Sequence, residues 1–524
     1  MKNCIKKGIL FALFSFTLFL ATAEQFRIAS SYYISSGITK SSALQRTMPL
    51  DTKRTFNSEE ELTKYLDDIV QQLMNLRLLE NISYHYEYLE AEGNCIPVSV
   101  TIMVSDSKHF VALPNFSYDS NSGVELKLKI KDTNFLGNLN TLNFDFNGEL
   151  VQESEKEAPQ LALGINFDYE LPFTLFNLAN AWSNDFSFSW ILGKDYPEFN
   201  YTTGLSFEVP LGQHGLDFSF KQSIKRDEDY LTYGDDLYAV ENASISLPLT
   251  IGRIKDTTKV VYTPSINFIY NWDSDGINPL NEDLSSPILN VAQGLATSRV
   301  NWKGNFRDGF FLSGSQSFGW NFQTEQFVPG ISSTIDFYKA FKYAGICSQF
   351  YAFGLLGSSN SIGTYLRGIR DNQTFADGSY YALKVPAALV FSLDLPVHII
   401  TTHWMDWGYA MFGSYDTFPK VSKVLFWIPH KLFKYLDFEM QLSPFIDMAL
   451  TRNRNNNTTF SYKDGFYAAG MEVLVYPSKW PSFVVRGSVG FDVGRKFLAN
   501  YLNMSWRDAS IPKYEIYFGL GLNY

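Results

Sequence analysis

The chain has 524 residues, a formal net charge of −11, 19% charged residues and 16% aromatic residues. It is too long for one ordinary core and long enough for several domains. It has no basic excess to hold nucleic acid and no charge run to suggest a tail. Mean hydropathy is slightly negative, which excludes a bundle of membrane-spanning helices. High aromatic content with middling hydropathy fits strands in which apolar and polar residues alternate, as in a membrane barrel.

The first residues carry an export pattern. Lys2, Lys6 and Lys7 precede an apolar run from Gly8 to Leu20, and Ala21-Thr22-Ala23 supplies small residues before Glu24. That order predicts a signal peptide over residues 1–23, since the run is short for a span of roughly 20 residues. No Cys follows the run, so no lipid anchor is expected. Cys4 leaves with the signal, and Cys95 and Cys347 fall in different predicted domains, so no disulfide framework is expected.

Residues 24–106 read as a small α/β domain. Ser58 and Glu61 form a capping-box signature. Leu62, Leu66, Ile69, Leu73 and Leu76 then recur at helical spacing and predict one apolar face. Ile82, Tyr84, Tyr86 and Tyr88 alternate with polar neighbours. Beyond Glu92-Gly93-Asn94, Ile96, Val98, Val100, Ile102 and Val104 alternate again, which predicts a hairpin packed on that helix.

From residue 107 to 524 the period changes to two. Val124, Leu126, Leu128 and Ile130 alternate with Glu125, Lys127, Lys129 and Lys131. Leu142, Phe144 and Phe146 continue the pattern, as do Leu161, Leu163, Ile165 and Phe167. Tyr514, Ile516, Phe518, Leu520, Leu522 and Tyr524 form a terminal aromatic strand signal. Segments of about ten residues suit tilted membrane strands, and roughly 25 residues per strand and connection gives about 16 antiparallel strands. No other apolar stretch is long enough to cross as a helix, so the mature chain crosses a membrane as a barrel or not at all.

Catalytic and metal signatures are sparse. The six histidines show no ligand spacing with Cys or with one another, and they read as interfacial or loop residues. No nucleophile elbow, phosphate loop or dinucleotide fingerprint occurs. Asp371 and Asp377 read as solvated loop charges. The expectation is a protein that is not an enzyme and takes no metal or cofactor.

Four features together resemble one superfamily. Residues 24–106 resemble a polypeptide-transport-associated (POTRA) domain, with Leu76-Arg77-Leu78-Leu79-Glu80-Asn81-Ile82 similar to its passage from second helix to strand. Asp132, Asn134, Phe135 and Gly137 resemble a D-x-N-F-x-G motif near the barrel start. Leu366, Arg367, Gly368 and Ile369 resemble a V-R-G-F/Y motif, with Asp377-Gly378 following. Phe445-Ile446-Asp447 resembles F-x-D-x-G on a nearby strand, with Ala449 where Gly is usual. The superfamily comprises outer-membrane barrel-assembly insertases and two-partner-secretion transporters, the bacterial surface antigen family. This chain is similar to a short member with one POTRA domain.

That resemblance implies a loop around Arg367 folded back into a 16-stranded barrel, with Arg367 reaching Asp447 on the inner wall. The chemistry is sound: a long loop in a wet lumen has little apolar surface to hold it. A guanidinium fork gripped by a carboxylate supplies two charge-assisted hydrogen bonds, and Gly368 permits a tight turn beside it. The residues alone favour a solvated Arg367 at a loop tip and an Asp447 that is one of many lumen acids. The extra segment 397–444 includes residues 420–436, with Trp and Leu between Lys residues, which read either as an amphipathic helix at the membrane surface or as additional strand.

The resemblance further implies a bacterial outer-membrane protein, its POTRA-like domain in the periplasm, that inserts or translocates polypeptides. Its expected partners are outer-membrane lipid, unfolded polypeptide clients, and periplasmic chaperones or accessory lipoproteins, without nucleic acid. Clients would pair with the edge of the POTRA hairpin and with a seam between first and last barrel strands. Gly519 and Gly521 would weaken that seam. The alternative is a passive pore or structural surface antigen.

Overall fold

A computed structural model describes residues 25–91, 93–119, 123–151, 160–212, 214–226, 237–255, 257–272, 286–370, 372–374, 380–413, 420, 436–453, 457–503, 507 and 511–522. The predicted signal segment 1–23, Asp371, Asp377, Tyr524 and residues 421–435 lie outside the described residues. The chain divides into two compact units. One runs to Asp106 and includes Leu136–Leu139; the other takes Ser107–Phe135 and Asn140–Tyr524.

The first unit contains β1 (Gln25–Ser35), α1 (Ser41–Thr47), β2 (Thr55–Phe56), α2 (Glu59–Asn75), β3 (Leu79–Tyr88) and β4 (Cys95–Asp106). Its sheet order is β2-β1-β4-β3, with β1 parallel to β4 and β3 antiparallel to it. Ser58 caps α2 by accepting from the Glu61 N–H at 3.2 Å, while the Glu61 carboxylate accepts from the Asn57 N–H at 2.9 Å. Leu62, Leu66, Ile69 and Leu73 of α2 are buried against Ile28, Val98, Val100 and Ile102. Burial of each such side chain stabilises by roughly 1.5–3 kcal/mol, enough to fix the helix on the sheet. The hairpin signal in the sequence gave no hint of β1, whose short apolar positions Phe26, Ile28 and Tyr33 are interrupted by a register shift between Ile28 and Ser30.

The second unit is a closed antiparallel barrel of 18 strands, not about 16. These are β5 (Phe110–Asp119), β6 (Gly123–Asp132), β7 (Leu142–Val151), β8 (Gln160–Leu175), β9 (Leu178–Ile191) and β10 (Glu198–Leu211). They continue with β11 (His214–Arg226), β12 (Tyr238–Ser246, resuming as Leu249–Arg253), β13 (Lys259–Trp272), β14 (Ile288–Lys303), β15 (Phe306–Asn321) and β16 (Gln326–Ala340). The last are β17 (Gly345–Leu355), β18 (Ala387–Asp394, resuming as Val397–Thr401), β19 (Phe438–Asn453), β20 (Phe466–Pro477, with the short piece Thr458–Thr459 before it), β21 (Val485–Asp492) and β22 (Tyr514–Leu520). The sequence estimate fell short because hairpin turns are tighter than it assumed. Phe176 and Asn177, both at positive φ, turn β8 into β9, and Gly304 (φ 61°) with Asn305 turns β14 into β15.

Alternation places the two faces. On β15, Leu312, Phe318 and Trp320 are exposed outward, as are Ile331, Ile335 and Phe337 on β16. The opposite face carries Ser315, whose hydroxyl lies 2.7 Å from that of Ser332, and Asn143, whose Nδ2 donates to Asp168 Oδ2 at 3.0 Å. An apolar exterior around a polar interior is a membrane barrel, and closure satisfies the backbone groups that lipid cannot. No described helix is long and apolar enough to cross a membrane.

Chain direction fixes the ends. The end where β5 begins also holds the turns at 176–177, 212–213, 254–258, 304–305 and 341–344, whereas the far end holds the connections 227–237, 273–287, 356–386 and 493–513. Short turns at one rim and long loops at the other are the habit of outer-membrane barrels, whose short turns face the periplasm. Exceptions include 322–325, a short turn at the far end, and 402–437, a long connection at the entry end. The latter begins with α3 (Trp404–Phe412) after the strand piece Val397–Thr401, and the interior of the predicted amphipathic stretch 420–436 lies outside the described residues.

Candidate functional site

The connection 356–386 enters the lumen, and its tip is held against the inner wall formed by β17 to β21. Two short ladders stiffen it: Asn360–Ser361 with Lys384–Val385, and Asn372–Thr374 with Tyr380–Ala382. Ile362, Leu366, Ile369, Leu383 and Val385 are buried against Phe353, Ala388, Val390, Ala449, Phe466 and Ala468 of the wall. The expectation of a loop with little apolar support is therefore overturned. Small wall residues leave room for the loop's branched side chains, and Ala449 contributes a fully buried methyl to that packing.

Arg367 sits at the centre and is 5% exposed. Its backbone N–H and its Nε both donate to Asp447 Oδ2 at 2.9 Å, and Nη2 donates to Asp447 Oδ1 at 2.7 Å. A second carboxylate accepts from the same fork: Nη1 donates to Asp394 Oδ1 at 2.7 Å and Nη2 to Asp394 Oδ2 at 3.1 Å. A third, Glu472, lies 3.0 Å from Nη1. The guanidinium also covers the Phe445 ring at 3.8 Å. Asp394, Asp447 and Glu472 are inward residues of β18, β19 and β20, so one loop residue ties three adjacent strands. Burying charge this deeply is tolerable only because each charge is partnered.

Glycines let two backbones meet beside that fork. Gly368 has φ 96°, and a Cβ on it would collide with the Phe491 N–H and the Gly490 carbonyl carbon. A Cβ on Gly490 would lie 2.6 Å from the Gly368 nitrogen, and one on Gly470 would lie 2.6 Å from the Phe445 ring. The loop thus rests in a slot that only glycine on both sides leaves open.

The other sequence-marked residues lie apart from this cluster. Asp132 accepts from the Asn134 N–H at 2.9 Å and contacts His109 Nδ1 at 2.7 Å, which fixes the turn after β6. Asn134 is fully buried there, and Phe135 meets the Tyr169 ring edge-on. Gly137 belongs to the first unit, where φ 71° and the nearby Ile38 carbonyl exclude a side chain. Tyr514 and Phe518 of β22 are exposed on the outer face with Val489 and Phe491 of β21, and Ile516 pairs with Val489. The terminal stripe stops at Leu520. Gly521 (φ 105°) turns the chain, and Leu522 packs with Leu474, Tyr476 and Val484 instead of continuing outward.

The seam is the least paired junction of the barrel among the described residues. Among the described residues, β22 and β5 are in register only at Tyr517 with Asp119 and Phe518 with Tyr118. The same register would place Gly519 and Leu520 opposite Ser117 and Phe116, and neither pair forms. By contrast, β21 and β22 pair continuously from Phe491 with Tyr514 to Val485 with Leu520. The unpaired part of β5 lies toward the entry end.

Sequence reasoning missed Asp394, Glu472 and the Gly470–Gly490 slot. A lone inward acid on a strand looks like any lumen acid, and Asp394 precedes a Leu-Pro break that hides its strand. Among the described residues, no group of His, Cys, Asp and Glu could hold a metal ion.

No family model and no curated protein sequence matches this chain. Solved structures similar to it include CdiB from Acinetobacter baumannii, with 12% identity over 95% of this chain and 74% of that one, at a TM-score of 0.46. CdiB from Escherichia coli is similar with 11% identity over 95% and 90%, at 0.39. BamA from Haemophilus ducreyi, in a form lacking POTRA domains 1–3, is similar with 12% identity over 94% and 84%, at 0.37.

Proposed function

We propose that this chain is an outer-membrane protein that inserts or translocates polypeptides, with the β22–β5 seam as the place where a client strand pairs. The observation that carries the reading is the seam itself. A closed barrel gains its stability by pairing every edge, yet among the described residues β5 runs from Phe110 to Asp119 and pairs with β22 at Asp119 and Tyr118, leaving its stretch toward the entry end without a β22 partner. Unpaired strand edge within a membrane wall is costly, and a client strand would satisfy it by augmentation.

The remaining parts fit that reading. Residues 24–106 act as a POTRA-like periplasmic domain after removal of the 1–23 signal, with β3 as a sheet edge for an extended client. The Arg367 loop braces the wall beside the seam rather than performing chemistry. Chaperones or accessory lipoproteins would deliver clients to the entry end.

The test is a lockable seam. In a Cys95→Ser, Cys347→Ser background, Tyr118→Cys with Phe518→Cys should form a disulfide on oxidation. The reconstituted, reduced protein should accelerate folding of a urea-unfolded barrel client, followed by heat-modifiable gel shift, and oxidation should abolish the acceleration. A folded, reduced barrel that gives no acceleration would leave the passive pore. Acceleration that survives oxidation would place the client path elsewhere.

A further inference from the structure

The charge cluster continues past Glu472 toward the seam. Arg486, the inward residue of β21 opposite Leu474, places its Nη1 3.5 Å from Glu472 Oε1. Its guanidinium carbon lies 4.1 Å from the centre of the Tyr517 ring on β22. Tyr517 lies along its own strand because Gly519 has no side chain: a Cβ there would collide with the Tyr517 hydroxyl. Tyr517 is also one of the residues that pair β22 with β5, opposite Asp119. A continuous chain of side chains therefore runs from Arg367 in the loop through Glu472 and Arg486 to Tyr517 at the seam, crossing β20, β21 and β22.

We propose that Glu472, Arg486 and Tyr517 are positioning residues that couple occupancy of the lumen slot by the Arg367 loop to closure of the seam. This rests on the seam reading above only for its purpose; the coupling is a property of the resting barrel. The physical argument is one of shared charge. Asp394, Asp447 and Glu472 are buried carboxylates facing two guanidiniums, Arg367 and Arg486. With the loop seated, Arg367 satisfies both aspartates and shares Glu472, so Arg486 is free to lie over Tyr517. With the loop withdrawn, Arg486 is the remaining guanidinium beside three buried acids, and it is drawn off the ring toward them.

Glu472 is the soft link. Both its oxygens are buried without an aligned hydrogen bond, so charge alone holds it between the two guanidiniums. The Arg486–Tyr517 contact inside a desolvated wall is a cation–π interaction, stronger than at an exposed site. Its loss would loosen β22 where it pairs with β5, at Tyr517 and Phe518. The movable element is thus the Arg486 side chain, which has two places to go.

The test is hydrogen exchange of the β22 amides (514–520) in the full mature chain reconstituted in liposomes, which needs no client. Arg486→Leu and Tyr517→Leu should speed exchange there by roughly ten- to thirtyfold, the factor expected for a desolvated cation–π contact. Tyr517→Phe keeps the ring and should exchange like the wild type. The decisive variants touch no atom of β22: Arg367→Ala and Glu472→Gln should raise β22 exchange as Arg486→Leu does. Combining Arg367→Ala with Arg486→Leu should add nothing further. β22 exchange that responds to Arg486→Leu while Arg367→Ala and Glu472→Gln leave it unchanged would overturn the coupling. So would Tyr517→Phe behaving like Tyr517→Leu. Because this readout is independent of client folding, a barrel that couples but fails the lockable-seam test refutes only the proposed function.

Discussion

Replacing Arg367 by Met removes one cation from among Asp394, Asp447 and Glu472, whose side chains are 0–1% exposed. Met keeps much of the aliphatic stem, so the Phe445 contact is weakened rather than emptied. Removing one partner of a buried ion pair typically costs about 3–5 kcal/mol, because the charges left behind are uncompensated. Arg367 belongs to no backbone pair of the barrel, so most of the loss should fall on the loop and appear as its release from the wall. A loss of about 3 kcal/mol raises the released population more than a hundredfold. Limited trypsin digestion of the reconstituted protein, reading cleavage at Arg370 and Lys384, should show that rise, while heat-modifiable mobility of the barrel stays intact. Adding Asp394→Asn and Asp447→Asn to Arg367→Met should restore much of the protection, since the stranded charges are then gone. Wild-type resistance to trypsin in Arg367→Met would refute the reasoning, and would assign the loop's stability to Ile362, Leu366 and Ile369 alone.

Gly368→Ala should release the same loop although it removes no interaction, because the new Cβ meets the β21 backbone; the left-handed conformation alone adds roughly 1–2 kcal/mol. The same digestion assay reads it, and unchanged cleavage would show that the slot is wider than the geometry indicates. Leu312→Arg, on the outer face of β15, should cost about 2–4 kcal/mol in urea unfolding from liposomes if it lies near mid-bilayer. The neighbouring lumen position Ser313→Arg should cost far less, and equal costs would reverse the assignment of faces. In the first unit, hydrogen bonds from Tyr86 and Tyr88 hold the Glu59 carboxyl below its usual range. A depressed carboxyl stabilises above its unfolded pKa and loses that contribution as pH falls through the folded value. Amide exchange at the start of α2 should therefore quicken on acidification below the ordinary carboxylate range, and Glu59→Gln should flatten that dependence.

The period of two over residues 107–524 is enough to specify inward and outward faces, since a strand can bury only alternate side chains. Leu62, Leu66, Ile69 and Leu73 specify α2 in the same local way, and Ser58 its start. The Arg367–Asp447 pair came from motif resemblance, not from anything local in either segment. Strand number was not legible because turns such as Phe176-Asn177 leave no mark distinguishing them from strand. Nor was the end of β22, where Gly521 diverts Leu522 from a stripe that the sequence continues to Tyr524.

What tertiary structure alone decided are the meetings between distant positions. Asp394, Glu472 and Arg486 each read as an ordinary inward charge on its own strand. Closure of the barrel and entry of the 356–386 loop bring them within 3.5 Å of one another or of Arg367. The seam is likewise invisible in sequence, because a strand's pattern records which face is buried and not whether its edge has a partner. Faces are set by side-chain chemistry, residue by residue; edges and charge partners are set by how strands from far apart in the chain are brought side by side.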